Sequence, residues 1–198
     1  MVGPAQALKG AVGVLLLLAP AVAAAQNFAI EAGCRDGQPH GAYELRSPSG
    51  QLRVVGAYNR GKRAGSFLFW SSAGARVAQL PYDEDVRSGT LAAWYVAADG
   101  VAEPKRRLEA TYVRGKLAGT HRTWYPNGAV RGQFRYELGT LVDARAFAES
   151  GKPLPEAEAR ALAARDLEAD EKFVATLEAL VRSNLPRCDS GADRLEKG

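Results

Sequence analysis

The sequence is poor in the residues that most often carry chemistry. Its 198 residues include only two cysteines and two histidines, and these four are too scattered to give metal-ligand spacing. No Gly-x-Ser-x-Gly motif occurs, so a nucleophile elbow is excluded. Residues 61–66 hold two glycines and a lysine, but in an order that differs from a phosphate-binding loop. The sequence therefore predicts a protein that is not an enzyme and holds no metal or cofactor. A carboxylate pair of the glycosidase type has no motif of its own and stays open as the alternative.

A strong excess of one charge is also missing. The formal net charge is +4, and the basic residues are spread along the chain, whereas nucleic-acid binding needs clustered lysines and arginines. The one acidic cluster, residues 83–85, is interpreted as a solvated turn, with a weak cation site as the alternative. We therefore expect no nucleic-acid partner.

The longest apolar run lies at the N-terminus. Lys9 precedes about ten apolar residues, and small residues follow at 21–25, an order typical of a cleaved signal peptide. The run is short for the roughly 30 Å of a bilayer core. Cleavage after Ala25 would remove Lys9, the one charged residue of 1–25, and lower the formal charge from +4 to +3. The sequence thus predicts a periplasmic or secreted protein without a transmembrane anchor in the mature chain. A retained anchor is the alternative.

The two cysteines, Cys34 and Cys188, lie near the two ends of the mature chain. An even number of cysteines in an exported protein favours a disulfide. Closing a loop of about 150 residues stabilises the fold by roughly 4–5 kcal/mol in the chain-entropy model. Two free thiols or an intermolecular bridge are the alternatives. Lipidation of Cys34 is not expected, because no lipobox directly follows the apolar run.

Glycine and tyrosine recur at fixed intervals. Four glycines begin successive segments at intervals of 24, 24 and 30 residues, and four tyrosines end them at intervals of 24, 30 and 24. They are Gly41, Gly65, Gly89 and Gly119, and Tyr58, Tyr82, Tyr112 and Tyr136. Two registers with matching intervals indicate copies of one unit. The six extra residues of the third copy lie around its turn, and a degenerate fifth copy occupies residues 137–154.

The fourth copy, residues 119–136, reads as a β-hairpin. Trp124 and Tyr125 end a run of β-forming residues. Asn127-Gly128 follows, and this pair is the strongest short turn signal because both residues tolerate positive φ. The repeated units are therefore expected to be successive hairpins.

This unit resembles the MORN repeat, in the bacterial variant labelled YwqK-type antitoxin. The matching residues are Gly115, Lys116, Gly119, Trp124, Tyr125, Asn127 and Gly128, with His121 at a strand position that is aromatic in the family. The second copy matches less fully, the first and third are weaker, and the third lacks the Gly-Lys pair. The resemblance covers residues 35–154 and implies an elongated sheet of antiparallel hairpins. The word antitoxin implies no activity for an exported chain.

From residue 155 the composition changes to alanine, glutamate, leucine and arginine, which predicts a helix. Its second half carries an apolar stripe made of Phe173, Leu177, Leu180 and Val181. The first half is poorer in apolar residues, and is either solvated or broken near 168–170. Pro186 ends the helix and Cys188 follows, so a bond to Cys34 would tie the helix to the first repeat. The stripe then packs on the sheet or on its end.

The predicted chain has four segments. They are a signal peptide at 1–25, a repeat domain of about four and a half units at 26–154, a helical segment at 155–188, and a disordered tail at 189–198. The predicted fold class is mainly β with a C-terminal α-helix: an elongated antiparallel sheet of MORN-like hairpins, capped by the helical segment.

Aromatic residues recur beside the hairpin turns and admit two interpretations. In one, they fill the interfaces between units and form the core. In the other, an exposed row forms a binding strip for a protein or a polymer. Since consecutive strand residues point to opposite faces, we expect buried tryptophans beside partly exposed tyrosines. The candidate surface residues are Trp70, Trp94, Tyr95, His121, Trp124 and Tyr125.

These patterns predict a non-enzymatic interaction or scaffolding module of the bacterial envelope. Its expected partner is another envelope protein or a cell-wall component. The alternative is a cell-wall or polysaccharide-binding module that uses the tryptophan and tyrosine strip.

Overall fold

A computed structural model describes residues 27–96 and 105–188 of the chain. The signal peptide predicted at 1–25 and the tail predicted at 189–198 lie outside these residues. The described part forms eleven strands and one helix. The strands are β1 (Ala29–Arg35), β2 (Gln38–Arg46), β3 (Leu52–Asn59), β4 (Lys62–Trp70), β5 (Arg76–Asp83), β6 (Val86–Arg87), β7 (Gly89–Trp94), β8 (Arg106–Val113), β9 (Lys116–Trp124), β10 (Val130–Glu137) and β11 (Thr140–Ala146).

The strands form one antiparallel sheet in which neighbours in sequence are neighbours in space. The order is β1-β2-β3-β4-β5-β7-β8-β9-β10-β11, and the two-residue β6 pairs with β5 just before β7 begins. This arrangement confirms the predicted class of successive hairpins followed by a helix. It also adds β1, which pairs with β2 and lies almost entirely before residue 35, where the resemblance to MORN repeats begins.

The tight connections between units share one backbone geometry. Each has two consecutive residues with positive φ, as a type I′ hairpin turn requires. The pairs are Asp36-Gly37, Arg60-Gly61, Glu84-Asp85, Arg114-Gly115 and Leu138-Gly139. In the Glu84-Asp85 pair, with φ of 47° and 70°, Asp85 stands where the other four pairs have glycine. The Asp85 carboxylate accepts a hydrogen bond from the Arg63 backbone N–H at 2.9 Å. The copy without Gly-Lys therefore keeps the backbone of the others.

The wider hairpin tips also repeat. In the fourth copy the Tyr125 N–H donates to the Ala129 carbonyl and the Gly128 N–H to that of Tyr125. The same pair of bonds occurs within 47–51, 71–75 and 148–152. The degenerate fifth unit thus retains the tip geometry, although only its first strand, β11, joins the sheet. In the third unit the Tyr95 N–H donates to the Lys105 carbonyl, and the residues between 96 and 105 lie outside the described ranges.

One face of the sheet carries the hydrophobic core. The ring centroids of Tyr43 and Tyr58 are 5.5 Å apart, and those of Tyr58 and Phe67 are 5.6 Å apart, in edge-to-face pairs. Tyr82 continues the row at 5.5 Å from Phe67. The four tyrosines that mark the repeat are each no more than 5% exposed. The periodic tyrosine in the sequence is therefore a core position.

The helix α1 (Glu156–Arg182) lies across this core face. It contacts Thr123 on β9 through Asp166 and Tyr82 on β5 through Glu178, so it runs from the β11 side back towards β1. Its 27 residues give a length of about 40 Å. The ten strands of the main row, which are all the strands except β6, span about 43 Å at the usual distance between neighbouring strands. The helix is therefore long enough to cover nearly the whole sheet.

The helix is continuous, and its first half is docked on the sheet. The expectation of a solvated or broken first half was wrong. Ala159, Leu162 and Ala163 are at most 6% exposed, because small and apolar side chains let this half approach the sheet closely. Val174 and Val181 are buried further along, and the rest of the predicted stripe is partly buried against the core. Within the described ranges, no helix combines the length and apolarity needed to cross a bilayer.

A disulfide joins the two ends of the described fold. Cys34 on β1 is bonded to Cys188, six residues after α1 ends, with their Cα atoms 5.7 Å apart. This bond confirms the predicted intramolecular pair. It closes a sequence separation of 154 residues and ties the chain after the helix to the edge strand of the sheet.

Removing this bond should destabilise the protein, because its unfolded chain then gains conformational freedom. For a double variant, Cys34→Ser with Cys188→Ser, we expect the free energy of unfolding to fall by roughly 2–5 kcal/mol. Urea denaturation followed by circular dichroism measures this change. The oxidised and reduced wild-type protein provide the control, since reduction should reproduce the loss. Equal midpoints for all three samples would contradict the account.

Candidate functional site

Three tryptophans lie on the face of the sheet opposite α1, here called the open face. They are Trp70 on β4, Trp94 on β7 and Trp124 on β9. Each ends its strand and follows a buried residue of the helix side, so strand alternation points each ring away from the helix. All three are half-buried. The sequence-based expectation that the tryptophans are buried is therefore wrong for these positions.

Trp94 lies between two arginines from the neighbouring strands. The Cζ of Arg76, on β5, is 4.5 Å from the Trp94 ring centroid, and that of Arg106, on β8, is 4.8 Å away. A third arginine, Arg122, lies 5.9 Å from the ring centroid of Trp124. Such cation–π contacts are worth about 0.5–1 kcal/mol each at exposed sites. The rings and guanidinium groups therefore hold one another in place across the sheet.

We call this set the open-face strip. Its members are Trp70, Arg76, Trp94, Arg106, Arg122 and Trp124. Arg76 also donates to the Gln79 side chain at 2.7 Å, while Arg106 lies 3.6 Å from the Glu109 carboxylate. Neither Arg76 nor Arg122 forms an ion pair in the part of the chain that the structure describes. The strip thus carries more positive than negative charge.

The other three candidate residues lie on the helix side. The Tyr95 hydroxyl donates to the Trp124 carbonyl at 2.7 Å, and the Tyr125 hydroxyl donates to the Phe147 carbonyl at 2.9 Å. Both tyrosines therefore link neighbouring units, although they are half-buried like the tryptophans. His121 is 1% exposed and cannot belong to a binding surface. The structure thus divides the six predicted residues between two faces.

Sequence reasoning missed the polar contact between α1 and the sheet, here called the helix seam. Four helix carboxylates each pair with a sheet arginine. The pairs are Asp166–Arg131 at 2.8 Å, Asp170–Arg107 at 2.9 Å, Glu171–Arg87 at 2.8 Å and Glu178–Arg63 at 3.5 Å. Two tyrosines add hydrogen bonds to the same acids: the Tyr82 hydroxyl donates to Glu178 and the Tyr112 hydroxyl donates to Glu171. Burial raises the pKa of both hydroxyls, which keeps them as donors.

The spacing of the helix seam follows from two regular geometries. Arg63 and Arg87 are 24 residues apart and hold equivalent places in successive units. Successive units are two strands apart, or about 9.6 Å. Their partners Glu178 and Glu171 are seven residues apart, which is about 10.5 Å along a helix. For these two arginines a seven-residue step on the helix matches one repeat of the sheet, whereas Arg107 and Arg131, also 24 residues apart, pair with acids four residues apart.

His121 belongs to the helix seam. Its ring occupies the core position of Phe67 in the second unit, and its Nε2 lies 3.0 Å from Asp170 Oδ2. The Asp170 side chain is only 8% exposed and also accepts from Arg107 at 2.9 Å. A buried carboxylate is costly unless it is paired and hydrogen-bonded. His121 therefore serves the docking of the helix.

Asp166 is the other buried carboxylate of the helix seam. It accepts from the Thr123 hydroxyl at 2.9 Å and from Arg131 at 2.8 Å. Burial raises the pKa of the Asp166 carboxyl, and the Arg131 guanidinium and the Thr123 hydroxyl oppose that rise without cancelling it. A cavity of about 280 Å³ opens beside it between helix and sheet, lined by Tyr95 and Arg165 among others. Among the described residues, no group of three His, Cys, Asp or Glu side chains is arranged to hold a metal ion.

Comparison with known proteins gives no assignment. The sequence matches no protein-family model and no curated protein. The resemblance to MORN repeats therefore stays a prediction, and the hairpin architecture rests on the structure alone.

The pairing of His121 with Asp170 can be measured by a double-mutant cycle. His121→Phe keeps a ring in the core but leaves one Asp170 oxygen unpaired, so we expect a loss of about 1–3 kcal/mol in unfolding free energy. Asp170→Leu should cost less in the His121→Phe background than in wild type, because His121 no longer loses a partner there, while Arg107 loses its carboxylate in both backgrounds. Chemical denaturation gives the four free energies. Glu168→Gln, on the exposed side of α1, is the control and should change little. Strictly additive losses would show that the two side chains are not coupled.

The raised pKa of Asp166 gives a pH dependence with a definite sign. A carboxyl group with a higher pKa in the folded state binds its proton more readily there, so its contribution to stability rises as the pH falls. We expect the free energy of unfolding of wild type to rise relative to that of Asp166→Asn as the pH is lowered from neutral towards about 4. Urea denaturation at several pH values measures this trend. A difference that moves the other way would show that the Arg131 ion pair outweighs burial.

Proposed function

We propose that the protein is an exported, non-enzymatic interaction module of the bacterial envelope that binds its partner through the open face of the sheet. The observation that carries this proposal is the open-face strip. Half-exposed tryptophans alternate there with arginines on a face that α1 does not cover. Tryptophan and arginine are the side chains most enriched among residues that dominate binding energy.

Export is supported by two features. Residues 1–25 have the order of a signal peptide, and the Cys34–Cys188 disulfide belongs to an oxidising compartment. We therefore place the mature protein in the periplasm or outside the cell. Its successive hairpins are similar to those that MORN repeats imply, and we propose kinship with that class at the level of the repeat unit.

A scaffolding role is supported by the contacts that order the strip before binding. The helix seam packs α1 on the opposite face of the sheet, and the disulfide links the segment after α1 to β1. The arginines stack on Trp94 before any ligand arrives. A surface ordered in advance loses less entropy on binding than a mobile one does. The strip is therefore suited to repeated contact with one kind of partner.

Two kinds of partner fit these residue types. An envelope protein is supported by the tryptophan and arginine content, which is typical of the centre of protein interfaces. A cell-wall polysaccharide is supported by the regular spacing, because the tryptophans recur at every second strand of the main row, or about 9.6 Å. Both partners use the same face, so one experiment tests the proposal.

Site-specific photo-crosslinking in envelope preparations tests whether the open face is used. A photoreactive residue at Leu68, half-buried on the open face, should give an adduct. The same residue at Leu138, which is 66% exposed in a connecting turn, should give none. Trp70→Ala with Trp124→Ala should abolish the Leu68 adduct, because both anchors are lost, while Val113→Ser, exposed outside the strip, should leave it. An adduct that survives loss of both tryptophans, or none at Leu68, would overturn the proposal.

A further inference from the structure

We infer that the open-face strip binds a linear acidic glycan, with its guanidinium groups on the carboxylates of the sugar chain. This inference rests on the proposed function and names the ligand class of the same face. Three observations lead to it: arginines stack on Trp94, two of the three strip arginines form no ion pair among the described residues, and the tryptophans are regularly spaced.

The first observation concerns what the strip offers to a ligand. Arg76 and Arg106 reach Trp94 from strands on its two sides and stack over its ring at 4.5 and 4.8 Å. A sugar ring would have to displace a guanidinium group to stack there. At Trp94 a ligand would therefore meet the guanidinium groups before the ring. Guanidinium groups match carboxylates in geometry and charge, and can bind them through two parallel hydrogen bonds.

The second observation is the charge balance. The strip has three arginines beside one acid, Glu109, which lies 3.6 Å from Arg106 and opposite Arg122 on the neighbouring strand. Arg76 is hydrogen-bonded to the neutral side chain of Gln79, and Arg122 forms no ion pair within the described ranges. By contrast, the arginines of the helix seam are each paired with an acid. The unpaired positive charge of the open face is therefore complementary to an anionic ligand.

The third observation separates a glycan from an acidic protein segment. Trp70, Trp94 and Trp124 end equivalent strands, and Arg76 and Arg106 hold equivalent places opposite Trp70 and Trp94, two strands apart. In the fourth unit Val130 holds that place, and Arg122 lies at a different position of the unit. The repeat of about 9.6 Å is comparable to the length of a disaccharide. A polymer with a carboxylate in every disaccharide or every sugar meets equivalent positions in turn. An acidic protein segment has no such fixed period.

Titration with defined polymers tests the inference. The probes are polygalacturonate oligosaccharides, the same oligosaccharides with methyl-esterified carboxyls, solubilised peptidoglycan fragments and poly-L-glutamate. Calorimetry and tryptophan fluorescence report binding. We expect binding to at least one of the two acidic glycans, none to the esterified form, and weaker affinity as salt is raised. Binding to peptidoglycan fragments alone would identify the cell wall as the source of the carboxylates, and binding to polygalacturonate would identify a uronate polymer.

Matched variants locate the interaction. Arg76→Gln with Arg122→Gln should weaken binding at least about tenfold, because charge-assisted hydrogen bonds are among the strong ones. Arg135→Gln makes the same change on the open face outside the strip, where Arg135 is 62% exposed at the side chain, and should leave affinity within about twofold. Glu109→Gln should strengthen binding, because it frees Arg106. Circular dichroism and melting curves confirm that each variant is folded.

Several results would overturn the inference. Equal binding of the esterified and free glycans would show that charge is not recognised. Preference for poly-L-glutamate over both acidic glycans would assign the face to an acidic protein. Failure of every acidic probe, while the Leu68 crosslink persists, would remove this ligand class and leave the proposed function standing. Loss of that crosslink as well would remove both.

Discussion

The pairing of helix carboxylates with sheet arginines is the interaction on which the rest of the structure depends. A row of hairpins is a single layer, and its apolar face needs a second layer to be buried. α1 supplies that layer, and its acids meet an arginine of each successive unit from Arg63 to Arg131. Seven residues of helix and two strands of sheet cover nearly the same distance. This match holds for Arg63 and Arg87, whose partners are seven residues apart, while Arg107 and Arg131 reach acids only four residues apart.

Docking on one face determines what the other face can do. The core tyrosines and His121 are buried beneath the helix. The tryptophans and the three arginines of the open-face strip lie on the opposite face. The two faces use arginine differently. The four arginines of the helix seam each neutralise an acid of the same chain, and in the open-face strip the positive charge is in excess. That contrast, and not the number of aromatic residues, is the reason for proposing that a partner binds on the open face.

Much of the fold could be predicted because its signals are local. Asn127-Gly128 and the glycine and tyrosine registers specify hairpins without reference to distant residues, and the disulfide was predicted from two cysteines and an expected export. The helix seam could not be predicted in the same way. Asp166 and Asp170 look like solvated residues in the sequence, and their burial depends on Arg131 and Arg107, which are distant in the chain. The faces of the tryptophans likewise depended on which side the helix covers.

Covalent footprinting of the folded protein by a diffusible radical, read by mass spectrometry at single residues, tests the central claim most directly. If α1 covers one face and leaves the other open, Trp70, Trp94 and Trp124 will be labelled readily. Tyr82 and Tyr112 will stay protected until the protein unfolds. Labelling of these tyrosines at the rate of the tryptophans in the native protein would contradict the docking of the helix, and protection of all three tryptophans would contradict the open face.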